Sequence, residues 1–241
     1  HSFSRRQRQM CIRDSFGPEA LKYRLQDSGA KAVITDRDNR EKIQEIQGEL
    51  QNLEFIIQKD EDLEKDELSW KKLLENASDG YRTKQTSSEA PCWVIYTSGT
   101  TGNPKGALHA HRALLGHLPG YELSHDFAPQ PGDLAWTPAD WAWIGGLANI
   151  LLCSWFHGIP VLGYLFRRFD PEKALALITK HQVRNTFLPP TALKFIRQLP
   201  ESSSRVQTSL RSIMSAGEPL GAEMLKWGAD CLNVKINEMY G

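Results

Sequence analysis

The chain has 241 residues, and 29 Lys and Arg balance 29 Asp and Glu, so its formal net charge is zero. With charged residues at 24% and both signs equal, no global basic field marks nucleic acid as a partner. No apolar run reaches the ~18–20 residues that cross a bilayer; the most apolar stretch, Trp141 to Phe156, is interrupted by Gly145, Gly146 and Asn149 and suits a buried helix. The cysteines, at positions 11, 92, 153 and 231, are scattered without CxxC spacing. They read as buried or incidental thiols of a reducing compartment, the cytoplasm, and as neither a disulfide frame nor a zinc site.

Residues 1–15 are basic and show neither helical nor strand periodicity. They are short for an Arg-rich presequence, start without methionine, and read as a non-native or disordered leader, with a nucleic-acid tail as the alternative. Pro18 and Gly29 then bracket an amphipathic helix over Glu19 to Ser28. Ala32 to Thr35 reads as a strand, Ile43, Ile46 and Leu50 lie at helical spacing, and Phe55 to Ile57 is the next strand. The acidic run Asp60 to Glu67 reads as a solvated loop, Ser69 to Glu75 as a short helix, and Asn76 to Ala90 as a polar connector. The alternation predicts an α/β domain of mostly parallel sheets with covering helices.

The connector enters Cys92-Trp93-Val94-Ile95-Tyr96, which reads as a buried strand, and then Thr97-Ser98-Gly99-Thr100-Thr101-Gly102-Asn103-Pro104-Lys105-Gly106. Glycines allow close approach of backbone N–H groups to an anion. The hydroxyls of Thr97, Ser98, Thr100 and Thr101 can donate to phosphate oxygens, and Lys105 supplies a point charge. A flexible solvated turn is the bland alternative. The strand before the loop, the density of donors and the lysine at its end favour a polyphosphate clamp. A Walker A loop is excluded by spacing: Gly99 and Gly102 are too close, and Pro104 stands where a glycine should precede the lysine.

Beyond the loop, His109 to Leu118 reads as a helix; its H-x-H pair, His109 and His111, has no third ligand nearby and is read as structural or surface. Pro129, Pro131 and Gly132-Asp133 turn the chain into Leu134 to Trp136. A helix follows over Gly145 to Phe156, then a strand at Pro160 to Leu165 and a helix at Pro171 to His181 with Ala174, Leu177 and Ile178 on one face. Val183 to Leu188, Leu210 to Ser215 and Val234 to Ile236 read as strands, with helices over Ala192 to Gln198 and Leu220 to Ala229 and a linker at Ser202 to Ser204. In open α/β sheets ligands bind outside the carboxyl ends of strands. Three segments fall there: Thr137 to Gly146 with Trp141, Trp143 and Gly145, the turn Ser215-Ala216-Gly217-Glu218-Pro219, and Asn237-Glu238-Met239-Tyr240-Gly241. Taken singly, each reads first as structural; their joint appearance after a phosphate loop favours the functional reading.

Together these segments resemble the AMP-forming adenylating superfamily of acyl-CoA synthetases, luciferases and peptide-synthetase adenylation domains. Tyr96 to Gly106 matches the family signature Y-T-S-G-T-T-G-x-P-K-G throughout, and Gly217-Glu218-Pro219 and Glu238-Met239-Tyr240-Gly241 match two further motifs in order. Ala139 to Trp143 is similar to the acyl-pocket segment of acetyl- and medium-chain acyl-CoA synthetases, with Ala142 in place of a glycine. The resemblance runs from about Phe16 to Gly241 and implies a portion of the large N-terminal domain of an adenylate-forming enzyme. The family has another strand before Phe16, and residues 1–15 are not expected to supply it.

The resemblance implies ATP, Mg²⁺ and CoA as reactants and a small carboxylate as substrate. It assigns Thr97 to Lys105, with Ser98, Gly99, Thr100, Thr101 and Gly102, to the phosphates, and Thr97 and Lys105 to catalysis. Adenine falls to Gly217, Glu218, Pro219, Glu238, Met239 and Tyr240, and the acyl group to Trp141, Trp143 and Gly145. The family's magnesium glutamate, ribose aspartate and C-terminal lid domain with its lysine would all lie beyond Gly241, so no metal ligand is assigned here and the isolated chain is expected to be inactive. An adenylation domain loading a carrier protein and a non-catalytic nucleotide-binding module are the alternatives.

Overall fold

The computed structural model describes residues 9–11, 16–97, 103–166, 168–200 and 207–240, and it divides into two compact units, 1–111 and 112–241. In the first unit, β1 (Gln9–Cys11), β2 (Ala32–Thr35), β3 (Phe55–Gln58) and β4 (Glu67–Ser69) form a parallel sheet in that order. Its first two connections are helical, and β3 reaches β4 through a loop over 59–66. α1 (Pro18–Ser28) starts with proline at its first turn and stops at Gly29, whose φ of 58° is the left-handed cap that glycine adopts at low cost. α2 (Arg40–Gln47) follows a single 3₁₀ turn capped by Asp36. Leu21 and Leu25 of α1 meet Ile43 and Ile46 of α2 over Val33 and Ile56, a compact apolar core.

Gln9–Cys11 is a strand paired with β2, where no strand was expected; the remainder of 1–15 lies outside the described residues. Parallel pairing is a long-range contact, which explains why periodicity within three residues gave no sign of it. The acidic run is not uniformly solvated either. The Arg40 guanidinium grips Glu67 with two hydrogen bonds, 3.1 Å from Nε to Oε1 and 2.9 Å from Nη2 to Oε2, and also donates to the Asp62 carbonyl. The Glu67 side chain is only 4% exposed, because a buried cation needs a fixed counter-charge. α3 (Trp70–Glu75) then begins at Ser69, whose hydroxyl accepts from the Lys72 N–H at 3.2 Å.

The first unit ends in an antiparallel ribbon, β5 (Pro91–Thr97) with β6 (Lys105–Ala110). The run expected as a buried strand is therefore one arm of a hairpin, with Cys92 exposed and residues 93–96 half-buried. His109 sits on β6 and not on a helix: it lies opposite Trp93 and stacks on it at 5.8 Å between ring centres. The helix begins later, at Ala113. Gly106-Ala107-Leu108 has no strong strand preference, and cross-strand pairing decides its state.

In the second unit, α4 (Ala113–Ser124) precedes a parallel sheet of order β10-β9-β8-β7, with β7 at Ala135–Trp136, β8 at Asn185–Phe187, β9 at Ser212–Ser215 and β10 at Lys235–Glu238. α5 (Ile144–Gly146), a π-helical turn (Leu147–Leu152) and α6 (Cys153–Phe156) follow one another without a break; α7 (Pro171–His181), α8 (Pro190–Arg197) and α9 (Ala222–Leu232) link the later strands. Successive strand residues face opposite sides of the sheet. Trp136, Leu188 and Ile213 enter a core with Ile178 of α7, Leu193 of α8 and Met224 of α9. Ala135, Phe187 and Met214 enter another with Tyr121 of α4, Ile150 and Cys153. The sheet is covered on both faces, as a parallel sheet must be. Pro160 to Leu165 makes only an isolated bridge, Val161 beside Ala135, where Pro160 has no N–H to give and Gly163 offers no side chain to pack. The linker at Ser202 to Ser204 lies outside the described residues.

Candidate functional site

In the first unit, Thr97 ends β5 and Lys105 begins β6, and the two face each other as the last pair of the ribbon. Both are exposed. Ser98, Gly99, Thr100, Thr101 and Gly102 lie outside the described residues. The pair behind them, Tyr96 opposite Gly106, faces the other way. Its phenol donates to Asp27 Oδ2 at 2.7 Å, and burial, reinforced by that carboxylate, pushes the phenol above its ordinary range. Arg24, on the preceding turn of α1, sets its guanidinium carbon 5.7 Å from the centre of the Tyr96 ring and 3.9 Å from that of Phe16. Sequence reasoning gave no role to Asp27 or Arg24, and no local signal marks them.

In the second unit the candidate residues gather at the carboxyl ends of the strands. The parallel register sets Glu238 opposite Ser215, and the Met239 N–H donates to the Ser215 carbonyl at 2.8 Å. The turn Gly217-Glu218-Pro219 thus leaves β9 directly beside the segment leaving β10. Glu238 Oε1 accepts from the Leu220 N–H at 3.2 Å and closes the two segments on each other. Gly217 has a φ of +107°, a conformation that side-chain-bearing residues avoid, and no atom lies within 4 Å of where its Cβ would stand. Glu218 reaches Lys194 of α8 at 3.2 Å, an exposed pair of small energetic weight. Met239 packs towards the core, while Tyr240 presents its whole ring to solvent.

The tryptophan segment leaves β7 at the same edge. Thr137 Oγ1 donates to the Phe187 carbonyl at 2.8 Å and accepts from the Ala139 N–H at 3.0 Å, and the Ser215 hydroxyl donates to the Leu188 carbonyl at 2.7 Å. These bonds tie the ends of β7, β8 and β9 together. Trp143 folds back across Gly145, where a Cβ would stand 2.4 Å from Trp143 Cζ3 and 3.1 Å from Phe187 Cε1. A Cβ on Gly146 would stand 2.4 Å from the Asp140 carbonyl oxygen. Trp141 lies over Gly163. Both tryptophans keep part of their surface exposed, at 37% for Trp141 and 41% for Trp143. The Gly217 turn, the segment Glu238 to Tyr240 and the tryptophan segment therefore share one end of the second sheet. Thr137, Phe187 and Ser215, which hold that end, carry no signal beyond their place at strand ends.

Other chemistry finds less support. Cys153 is buried and its thiol pushed up to about 12 by burial, which makes it inert as a nucleophile. Among the described residues, no group of three or more His, Cys, Asp and Glu is placed to hold a metal ion, and no helix is long and apolar enough to cross a membrane.

Parallel α/β sheets with the candidate residues at the carboxyl ends of their strands define a ligand-binding α/β class of protein. The chain belongs to the AMP-binding enzyme family, whose sequence model matches residues 9–241. Acetyl-coenzyme A synthetase of Escherichia coli strain K12 is 28% identical, covering 88% of this chain and 36% of its own length. The mitochondrial acyl-coenzyme A synthetase ACSM4 of Rattus norvegicus is 28% identical, covering 91% of this chain and 37% of its own. Among solved structures, an acyl-CoA synthetase of Brucella canis superposes with a TM-score of 0.84 at 28% identity over 97% of this chain and 42% of its own. The anthranilate CoA ligase AuaEII, solved with anthranoyl-AMP, gives 0.82 at 25% identity over 93% of this chain and 43% of its own. The chain thus spans well under half the length of these relatives.

Proposed function

We propose that this chain is the nucleotide- and acyl-binding portion of an acyl-CoA synthetase that activates a short- or medium-chain carboxylate with ATP. The observation that carries the reading is the shared strand edge, where the Gly217 turn, Tyr240 and the Trp143–Gly145 fold meet the ends of β7 to β10. In this reading adenine lies against the Gly217-Glu218-Pro219 backbone and the ring of Tyr240, as aromatic surfaces favour. Trp141, Trp143 and Gly145 border the acyl group, and the bulk of Trp143 limits its length. Thr97 and Lys105, with Ser98 to Gly102 between them, hold the β- and γ-phosphates.

The chemistry runs in two steps. A carboxylate oxygen attacks the α-phosphorus, the bond from that phosphorus to the bridging oxygen breaks, and pyrophosphate leaves with the electron pair. The Thr97 hydroxyl and the Lys105 ammonium stabilise the charge gathering on the leaving group, where fixed donors contribute most. CoA is the acceptor we assign, because the similar proteins are named as coenzyme A synthetases and ligases; its thiol sulfur displaces AMP from the acyl carbon. No described residue is assigned to magnesium. The free thiols of Cys92, Cys153 and Cys231 suit the cytoplasm.

The mechanism has an isotopic signature. The complete open reading frame that carries this sequence, given ¹⁸O-labelled carboxylate, ATP and CoA, should place one label in AMP and none in pyrophosphate. Label-free AMP, or turnover to ADP, would sink the reading. The 241-residue chain by itself should form no acyl-AMP.

A further inference from the structure

Thr97 and Lys105 stand at the loop end of a two-stranded ribbon, and such ribbons are marginally stable by themselves. Something must fix the direction in which the two side chains point. The pair behind them is held from the opposite face: the Tyr96 phenol donates to Asp27 Oδ2 at 2.7 Å, and the ring covers Gly106, where a Cβ would stand 3.1 Å from Tyr96 Cζ. Arg24 lies against the same ring and is itself fixed, donating from Nη1 to the Ala20 carbonyl at 2.7 Å.

We propose that Tyr96 is a positioning residue for the phosphate loop, clamped by Asp27 and Arg24 of α1 on one side and by the bare Gly106 backbone across the ladder. The inference rests on the reading of Thr97 and Lys105 as phosphate-binding. Neighbouring strand residues point to opposite faces, so pinning Tyr96 to α1 determines where Thr97 points, and its pairing with Gly106 does the same for Lys105. A slip of one residue would turn the lysine to the wrong face. A side chain at position 106 would press first on Val94 Cγ1, at 2.9 Å, and then on the Tyr96 ring, at 3.1 Å. Helix α1 acts through the strand and touches no reacting atom.

The test is carboxylate-dependent ATP–pyrophosphate exchange by the complete enzyme, comparing the parent with Tyr96→Phe, Asp27→Ala, their combination, Asp27→Asn and Lys105→Ala. Tyr96→Phe and Asp27→Ala should each lower kcat about tenfold per folded enzyme, with the carboxylate KM within about twofold of the parent. The combination should be no slower than Tyr96→Phe, which already removes the bond to Asp27 and the longer one, 3.3 Å, to the Arg24 carbonyl. Asp27→Asn, whose amide oxygen still accepts, should recover most of the rate. A lowered Tm with unchanged kcat would reduce Tyr96 to a purely structural residue and overturn the proposal. If Lys105→Ala is slow while Tyr96→Phe matches the parent, the positioning role alone fails. If Lys105→Ala exchanges as fast as the parent, the phosphate-loop reading fails with it.

Discussion

Glu238, the last residue of β10, accepts a hydrogen bond from the Leu220 N–H at 3.2 Å, so the end of one strand closes the turn that leaves its neighbour. The glutamate thereby shapes the turn that carries Gly217, Glu218 and Pro219. Replacing it with alanine leaves that N–H without its partner and loosens the proposed adenine site. Glu238→Ala should weaken ATP binding to the complete enzyme by about 5- to 30-fold, and Glu238→Gln by no more than about threefold, because the amide oxygen still accepts. Calorimetric titration with ATP checks this.

The Trp143 ring fills the space that a side chain at Gly145 would need. Removing it opens an apolar slot beside Phe187, whose ring centre lies 6.2 Å from that of Trp143. Trp143→Ala should therefore raise kcat/KM for octanoate relative to acetate by about 10-fold or more, the scale set by a few methylenes in an apolar pocket. Gly145→Val should shift preference towards acetate. Steady-state kinetics across acetate, butyrate and octanoate measure both, and an unchanged ratio in both variants removes these residues from the acyl site.

His125 is fully buried, with Nδ1 2.7 Å from the Ser212 hydroxyl and its ring edge on Tyr121. Burial, with Arg211 nearby, lowers it from 6.5 to about 3, while Asp133 pulls weakly the other way. The unfolded chain takes up a proton below pH 6.5 that the folded chain refuses until about pH 3. Stability from this group is thus fully present above pH 6.5 and drains away as pH falls, at up to about 1.4 kcal/mol per pH unit. Denaturant titrations from pH 7 to pH 4 should show that slope in the parent and lose it in His125→Gln.

Asp133 holds Arg211 with bonds of 2.8 and 3.2 Å, and its carboxyl is 2% exposed. Burial by itself would raise the carboxyl, but Arg211, the Gln130 N–H and Asn185 outweigh it and hold Asp133 below the ordinary 3.8. Its stabilisation is therefore present above that value and lost as pH falls through the lower, folded one, separately from the His125 effect. Arg211→Ala should cost about 3 kcal/mol, because the buried carboxylate then keeps only Arg184, 3.5 Å from Oδ1, as its counter-charge. Lys194→Ala, which breaks the exposed pair with Glu218, should cost under about 1 kcal/mol. Urea unfolding at pH 7 compares the two.

Most helices were legible because their signals are local. Pro18 and Gly29 bound α1, and Pro171 and Pro190 open α7 and α8. β8 and β9 fall within the strands expected at Val183 to Leu188 and Leu210 to Ser215, and β10 overlaps the one expected at Val234 to Ile236. What escaped was non-local: β1 exists by pairing with β2, β6 by pairing with β5, and Glu67 is buried by Arg40 from a different element. The site divides in the same way. Its motifs stood out as chain segments, but the contacts of Tyr96 with Asp27, Glu238 with Leu220 and Trp143 with Gly145 depend on which residues the fold brings together.

If the Thr97–Lys105 loop serves the transfer of AMP to a carboxylate, acid-dependent ATP–pyrophosphate exchange by the complete enzyme, parent against Lys105→Ala, tests it most directly with acetate, butyrate and octanoate. Exchange is expected with at least one acid, lowered about 100-fold or more in the variant with little change in the acid's KM, because the charge acts mainly as pyrophosphate departs. Exchange with none of the acids, or equal rates for parent and variant, would contradict it.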